Sequence, residues 1–232
     1  SLGITVAKFN TNTKKFENIS TLTTTSNYNS QPKISIIKGV PTAVWISNIN
    51  GDYFGINNTN NIVYSEFKNG NWTTPKTLAK NLNCITDINV GAINNKFYVA
   101  YCMEIDNNLT TINDRILNVV DKNGSTKNLS KGLVSNPIFT VMSDTNLDSL
   151  VWYENGNIKV SSNLIDIRAL REDGINKLTD DFIILGNKIV YCNSDKDNNS
   201  NIYMLRYNNT SKNWSNSIRI TNQDKLIKDI SV

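Results

Sequence analysis

The sequence predicts an all-β fold: a β-propeller of four-stranded blades, with about five blades or a part of a larger ring, occupying residues 1–232 as a single domain. Three observations predict it. A hairpin-like stretch, "NNIVYSEFKNGNWTTPKTL" at 60–78, has a near copy in "NIYMLRYNNTSKNWSNSIRIT" at 201–221. A motif of Val or Ala followed by an aromatic recurs with the aromatic at Trp45, Tyr101, Trp152 and Tyr191, in steps of 56, 51 and 39 residues, scattered about the roughly 40–50 residues of a propeller blade. The apolar runs are short, rich in Ile, Val, Tyr and Trp, and bounded by Asn, Gly, Asp and Pro clusters, which is strand chemistry. A sandwich of similar strand count requires no echo between units, whereas blades echo one another because each presents the same two faces to its neighbours.

In chain order, "GITVAKF" and "KKFENISTL" are a third and a fourth strand without a first and second. The first full unit is "QPKISII", "TAVWIS", "NIVYSEF" and "GNWTTPKTL", and the second is "TDINVGAI", "YVAYCM", "DRILNVV" and "GSTKNLS". The third is "NPIFTVM", "SLVWYE", "NIKVSSN" and "DGINKLT", and the fourth is "DDFIIL", "KIVYCN", "NIYMLRY" and "KNWSNSIRIT", followed by a lone first strand, "IKDISV". The leftover strands at the two ends either join as one composite blade or belong to a ring of more blades. One stretch, 164–173, keeps Leu164, Ile167, Leu170 and Arg171 at helical spacing, and blade regularity is expected to fail there.

The recurrent aromatics of the second strands are core, because inner propeller strands bury both faces between blades. Trp72 and Trp214 follow equivalent turns and are read as outer-strand packing rather than as platforms for a sugar ring. Asparagine is heavily used, in runs such as "NNTNN" and "DKDNNSN", and is read as the filling of tolerant loops.

Composition excludes several functions. The chain has no histidine, which removes Ser-His-Asp and Cys-His catalysis and the commonest transition-metal ligand. A net charge of +4, from 24 basic and 20 acidic side chains spread along the chain, offers no clustered basic stripe, so no nucleic-acid partner is expected. Three cysteines without CxxC spacing make no disulfide framework, and Cys102 and Cys192, inside apolar strands, read as buried thiols. No apolar run approaches the roughly 18 residues that span a bilayer, and "SLGITVAKF" lacks the features of a signal peptide.

The unit "NIVYSEF", "NG", "NW", "TTP" followed by "DINVGAINNKFYVAYC" resembles the BNR-like and sialidase-like repeats of bacterial and archaeal surface propellers. The resemblance implies a secreted or cell-surface protein that recognises or cleaves glycans. The chain departs from the family where its Asp box should stand: Ser65 to Trp72 places Phe67 at the Asp position and Gly70 one residue late. Five arginines, at positions 115, 168, 171, 206 and 219, form no recognisable triad for a substrate carboxylate.

In a propeller the loops from the fourth strand to the next first, and from the second to the third, meet at one end of the channel. The first kind carries Gln31, Asp87, Asn136, Asp180 and Asp181; the second carries Asp52, Tyr53, Glu104, Asp106 and Glu154. This acidic face is the expected ligand site, with Asp87, Glu104, Glu154, Asp180 and Tyr53 as its binding residues and no assigned catalytic or metal-ligating residue. The function expected is a non-catalytic extracellular propeller that recognises a glycan or a protein; the alternative is a glycoside hydrolase using paired loop carboxylates. No cofactor is required. Calcium is the one ion considered, where three of these carboxylates approach one another; an EF-hand loop at Asp195 is excluded by Ser200 and Arg206 at its Gly and Glu positions.

Overall fold

A computed structural model describes residues 2–23, 27–52, 56, 57, 59–170, 178–194 and 200–222. Among them every regular element is a strand. The strands β1 (Thr5–Asn10) and β2 (Lys15–Thr21) form a two-stranded sheet. Blade 1 consists of β3 (Tyr28–Ile37), β4 (Val40–Asn48), β5 (Asn60–Lys68) and an outermost strand split into β6 (Asn71–Trp72) and β7 (Lys76–Leu82). Blade 2 is β8 (Ile85–Ile93), β9 (Lys96–Glu104), β10 (Arg115–Asp121) and β11 (Thr126–Gly132). Blade 3 is β12 (Val134–Met142), β13 (Leu147–Glu154), β14 (Asn157–Ser161) and β15 (Arg168–Ala169). Blade 4 is β16 (Leu178–Leu185), β17 (Lys188–Ser194), β18 (Ser200–Asn208) and an outermost pair, β19 (Asn213–Trp214) and β20 (Ile218–Arg219). All ladders between these strands are antiparallel. The innermost strands follow one another, β3 against β8, β8 against β12 and β12 against β16. This is the propeller arrangement, and among the described residues its sheets do not close into a ring.

The asparagines have a backbone task. Four tight hairpins, at 38–39, 69–70, 94–95 and 155–156, hold both central residues at positive φ, between 47° and 87°, the type I′ geometry that matches strand twist. They are Lys-Gly, Asn-Gly, Asn-Asn and Asn-Gly. Among the described residues, nine of the fourteen non-Gly residues at positive φ are Asn, the L-residue that tolerates this region best, so the composition read as loop filling also shapes turns.

Four apolar layers hold the sheets together. Trp45, Ala43 and Val63 of blade 1 pack on Ile4 and Leu22 beside β1 and β2. The other face of blade 1, with Val44, Ile46, Ile62 and Tyr64, packs on Ile88, Val90, Val99 and Tyr101 of blade 2. Cys102, Leu117 and Val119 on the far face of blade 2 meet Val134, Leu150 and Trp152 of blade 3. Val151, Tyr153 and Val160 then meet Phe182, Ile189 and Tyr191 of blade 4. The alternation of odd and even residues between two layers is the period-2 pattern of a strand buried on both faces. All three cysteines are buried and free.

The duplicated hairpin is explained by its outermost strand. Trp72 packs against Phe67 and Trp214 against Tyr207, with ring centroids 5.6 and 5.5 Å apart. The residue after each Trp replaces a ladder hydrogen bond with its hydroxyl: Glu66 N donates to Thr73 Oγ1 at 3.1 Å and Arg206 N to Ser215 Oγ at 3.0 Å. The strand breaks there and resumes farther along, which is why both copies read Asn-Trp followed by a hydroxyl residue.

Two expectations change. The fourth strand of blade 3 is Arg168–Ala169, paired with Lys159 and Val160, and not "DGINKLT": Leu178 and Thr179 belong to β16, and 173–177 lie outside the described residues. The helical spacing at 164–170 forms no helix, because Asn163 turns the chain instead, its Oδ1 accepting the amides of Ile165 and Asp166 at 2.8 Å each. The lone strand expected at 227–232 also lies outside the described residues.

At the hairpin end of blades 1 and 2, Lys122 Nζ of blade 2 reaches Glu66 of blade 1 at 2.5 Å, and Lys68 Nζ reaches the same carboxylate at 2.8 Å. Burial pushes the Glu66 carboxyl up, but the two ammonium groups outweigh it and the net shift is downward. A lowered folded-state value means that the clasp stabilises fully above the usual 4.5 and is lost as pH falls through the folded-state value. Glu66→Gln is expected to cost about 0.5–1 kcal/mol at neutral pH, the lysines being half exposed. In urea melts the gap between the proteins should close as pH falls below 4.5 and through the lowered folded-state value; a pH-independent gap would assign Glu66 a packing role only.

Candidate functional site

The second strand of each blade ends opposite the first residue of the third: Asn48 faces Asn60, Glu104 faces Arg115, Glu154 faces Asn157 and Ser194 faces Ser200. In blade 3 a two-residue turn joins them; in blade 2 the connection is the loop 105–114. Glu104 and Arg115, directly opposed on neighbouring strands, form an ion pair, Nε to Oε1 2.6 Å, with Glu104 at 0% side-chain exposure and Arg115 at 13%. Burial pushes the Glu104 carboxyl up; Arg115 offsets part of this, and Asp114 and Asp106 push it further up. Burial lowers the Arg115 guanidinium, and Glu104 and then Asp87 raise it beyond that, so the pair sits in a net negative field.

Asp87 stands opposite Cys102 on β8, on the face of blade 2 that packs against blade 3, and accepts a hydrogen bond from Thr86 Oγ1 at 2.9 Å. Glu154, across the same interface on blade 3, accepts the Trp152 indole N–H at 3.0 Å. The loop 105–114 is pinned by its neighbours. The Asn83 side-chain amide donates to the carbonyls of Glu104 and Ile105 at 3.0 and 2.7 Å, and Cys84 N donates to Asn107 Oδ1 at 2.8 Å. Its first and last acidic residues return to Glu104: one carboxylate oxygen from each of Glu104, Asp106 and Asp114 lies within 4.8 Å of the others. Beside them the Cys84 thiol is pushed up to about 11 by burial, then by Glu104 and Asp52, so it is neutral and a poor nucleophile at neutral pH.

A β-bulge interrupts every innermost strand toward this same end, between Ser30 and Lys33, Ile85 and Asp87, Ser135 and Ile138, and Leu178 and Phe182. Bulges re-aim side chains and are common beside binding sites. Here two of the re-aimed residues join blades. Gln31 Nε2 donates to the Thr86 carbonyl of blade 2 at 3.2 Å, and Asn136 Nδ2 donates to the Phe182 carbonyl of blade 4 at 3.0 Å.

Of the residues predicted for the ligand site, the structure gathers Asp87 and Glu104 around Arg115 and places Glu154 on the facing blade. Glu104 is buried and not on an exposed loop, because its chain continues in the ladder to the strand end and Arg115 covers it. Asp180 lies in the bulge of β16, where only the backbone is described, and Tyr53 lies outside the described residues. Sequence reasoning missed Asp114 and Arg115 as site residues. The signal was available in register: antiparallel pairing of "YVAYCME" with "RILNVV" sets Glu104 against Arg115.

The opposite end of blade 2, on the side of blade 1, is richer in lysine. A cavity of about 510 Å³ lies between the hairpin turns of blades 1 and 2, and Lys38, Lys68, Lys96 and Lys122 are among its lining residues.

No protein-family model and no curated protein matches the chain. Solved structures match it. A puromycin hydrolase mutant complexed with PGG superposes with a TM-score of 0.57 at 12% identity, over 89% of this chain and 31% of that one. A puromycin-hydrolyzing peptidase of Mycobacterium tuberculosis gives 0.54 at 11% identity, over 85% of this chain and 29% of that one. The chain thus spans about a third of the length of these two proteins, and the likeness is one of fold. A GH43_1 enzyme from Xanthomonas citri complexed with xylotriose gives 0.45 at 10% identity, over 78% of this chain and 70% of that one.

Proposed function

We propose that the chain is the propeller of a glycan-active protein working outside the cell, and that it holds sugar at the acidic loop face between blades 2 and 3. One observation carries the reading: Asp87, Glu104, Asp106 and Asp114 of blade 2 and Glu154 of blade 3 lie at one end of the interface between these two blades. Carboxylates accept hydrogen bonds from sugar hydroxyls and repel anionic partners. The resemblance to sialidase-like repeats supports the same class of ligand.

Hydrolysis is the second reading, and a specific observation favours it. An oxygen of the buried Glu104 lies within 4.8 Å of one of the exposed Asp106, and a pair of neighbouring carboxyl groups is what acid and base roles on a glycosidic bond require. The test is a glycan array run beside hydrolysis assays on one preparation, with the double variant Asp87→Asn/Glu154→Gln. Both positions are partly exposed, so melting is expected to stay within about 0.5–1 kcal/mol of the parent. Binding should fall at least about tenfold, the loss of one or two charge-assisted hydrogen bonds. Turnover of a bound glycan would decide for the hydrolase; full binding by the double variant would remove this face as the site.

A further inference from the structure

The loop that joins β9 to β10 draws three carboxylates of the acidic face closer together than hydrogen bonding to a sugar requires. Glu104 at its start is fully buried, and while Oε1 is taken by Arg115, Oε2 has no hydrogen-bond partner. Asp114 at the other end of the loop likewise has a buried oxygen, Oδ1, with none. Leaving such an oxygen bare costs the desolvation of a charged group, and two stand here within one cluster. Asp106 completes it from the exposed side, with Oδ1 accepting the Asn108 amide at 2.8 Å.

The donor set suits a particular ion. Oxygens bound to one Ca²⁺ at about 2.4 Å lie no more than about 4.8 Å apart, and Ca²⁺ accepts the flexible all-oxygen geometry that side chains from a strand end and a loop offer, whereas Mg²⁺ demands a near-ideal octahedron and dehydrates reluctantly. The three carboxylate oxygens fall within 4.8 Å of one another. All are hard oxygen donors, and the cluster has no imidazole or thiolate to attract a softer metal. When ionised, the three carboxylates outnumber the one guanidinium beside them by two charges, which a divalent cation neutralises. We propose that Glu104, Asp106 and Asp114 form a Ca²⁺ site that ties the two ends of the loop 105–114 to the end of β9. Water completes the coordination on the exposed side.

The test compares melting of the whole chain in EDTA with melting in about 10 mM Ca²⁺ or Mg²⁺. A site with three carboxylates, one shared with Arg115, is expected to bind with a Kd on the order of 10⁻⁴ M. That affinity raises Tm by roughly 5–10 °C in Ca²⁺ and much less in Mg²⁺. Asp106→Asn/Asp114→Asn should abolish the Ca²⁺ shift while melting in EDTA at or above the parent, because the repulsion on Glu104 is relieved. Asp106→Asn alone, at an exposed position, gives the same readout with an at least tenfold weaker Ca²⁺ titration by calorimetry if the double variant does not fold. No shift in the parent, an equal shift in Mg²⁺, or an undiminished shift in the variants would overturn the site.

Discussion

Trp152→Ala is expected to lower unfolding free energy by about 3–5 kcal/mol, the usual cost of truncating a fully buried large aromatic. The side chain is 0% exposed and fills the layer between blades 2 and 3 against Cys102, Leu117 and Val119. Its indole N–H also satisfies Glu154 at 3.0 Å, so the loss is both a cavity and an orphaned carboxylate oxygen. Trp45 gives the internal comparison. It occupies the equivalent position in blade 1 at 1% exposure, but its Nε1 has no partner. Trp152→Phe should therefore cost about 1 kcal/mol more than Trp45→Phe, which discards a donor already unsatisfied. Equal costs in guanidinium melts would mean that the Glu154 bond contributes nothing.

Gly91→Ala is expected to cost about 3 kcal/mol, the upper part of the range for overpacking a core. A Cβ on Gly91 would stand 2.2 Å from Phe139 Cβ and 2.4 Å from its Cγ. The Phe139 Cβ is fixed to the backbone of β12, so no rotation of the ring relieves that contact and the two innermost strands must separate. A glycine inside a strand commonly marks such a close approach. Phe139→Ala keeps the offending Cβ and should rescue Gly91→Ala little, whereas Phe139→Gly should rescue the steric part of it. Rescue of equal size by both would place the clash on the ring instead.

The blade pattern was legible because burial on both faces leaves a strong mark. The aromatics chosen by repetition, Trp45, Tyr101, Trp152 and Tyr191, are each no more than 2% exposed, and the fourfold strand order followed from them. The acidic face was legible in part, since strand ends are visible as turn chemistry. What the residues around Glu104 do was not. Its burial depends on Arg115, eleven positions away, and on Asp114, whose place "DRILNVV" gave only as a strand start. The outermost strand of blade 3 was misplaced because two residues, Arg168 and Ala169, carry no alternation to read.

The broken outermost strands bear on solubility. A blade's last strand is an edge, and a long, flat edge invites pairing with another chain. In blades 3 and 4 the edge pieces are two residues long, and in blade 1 the edge is interrupted between Trp72 and Lys76. The longest uninterrupted edge pieces of the full blades, β7 in blade 1 and β11 in blade 2, are each seven residues long and carry Lys76 and Lys80, and Lys127 and Lys131. Among the described residues no outermost strand therefore offers a neighbouring molecule an extended uncharged template, and the hydroxyl residue after each outer Trp protects the protein against edge-to-edge aggregation as well as capping a hairpin.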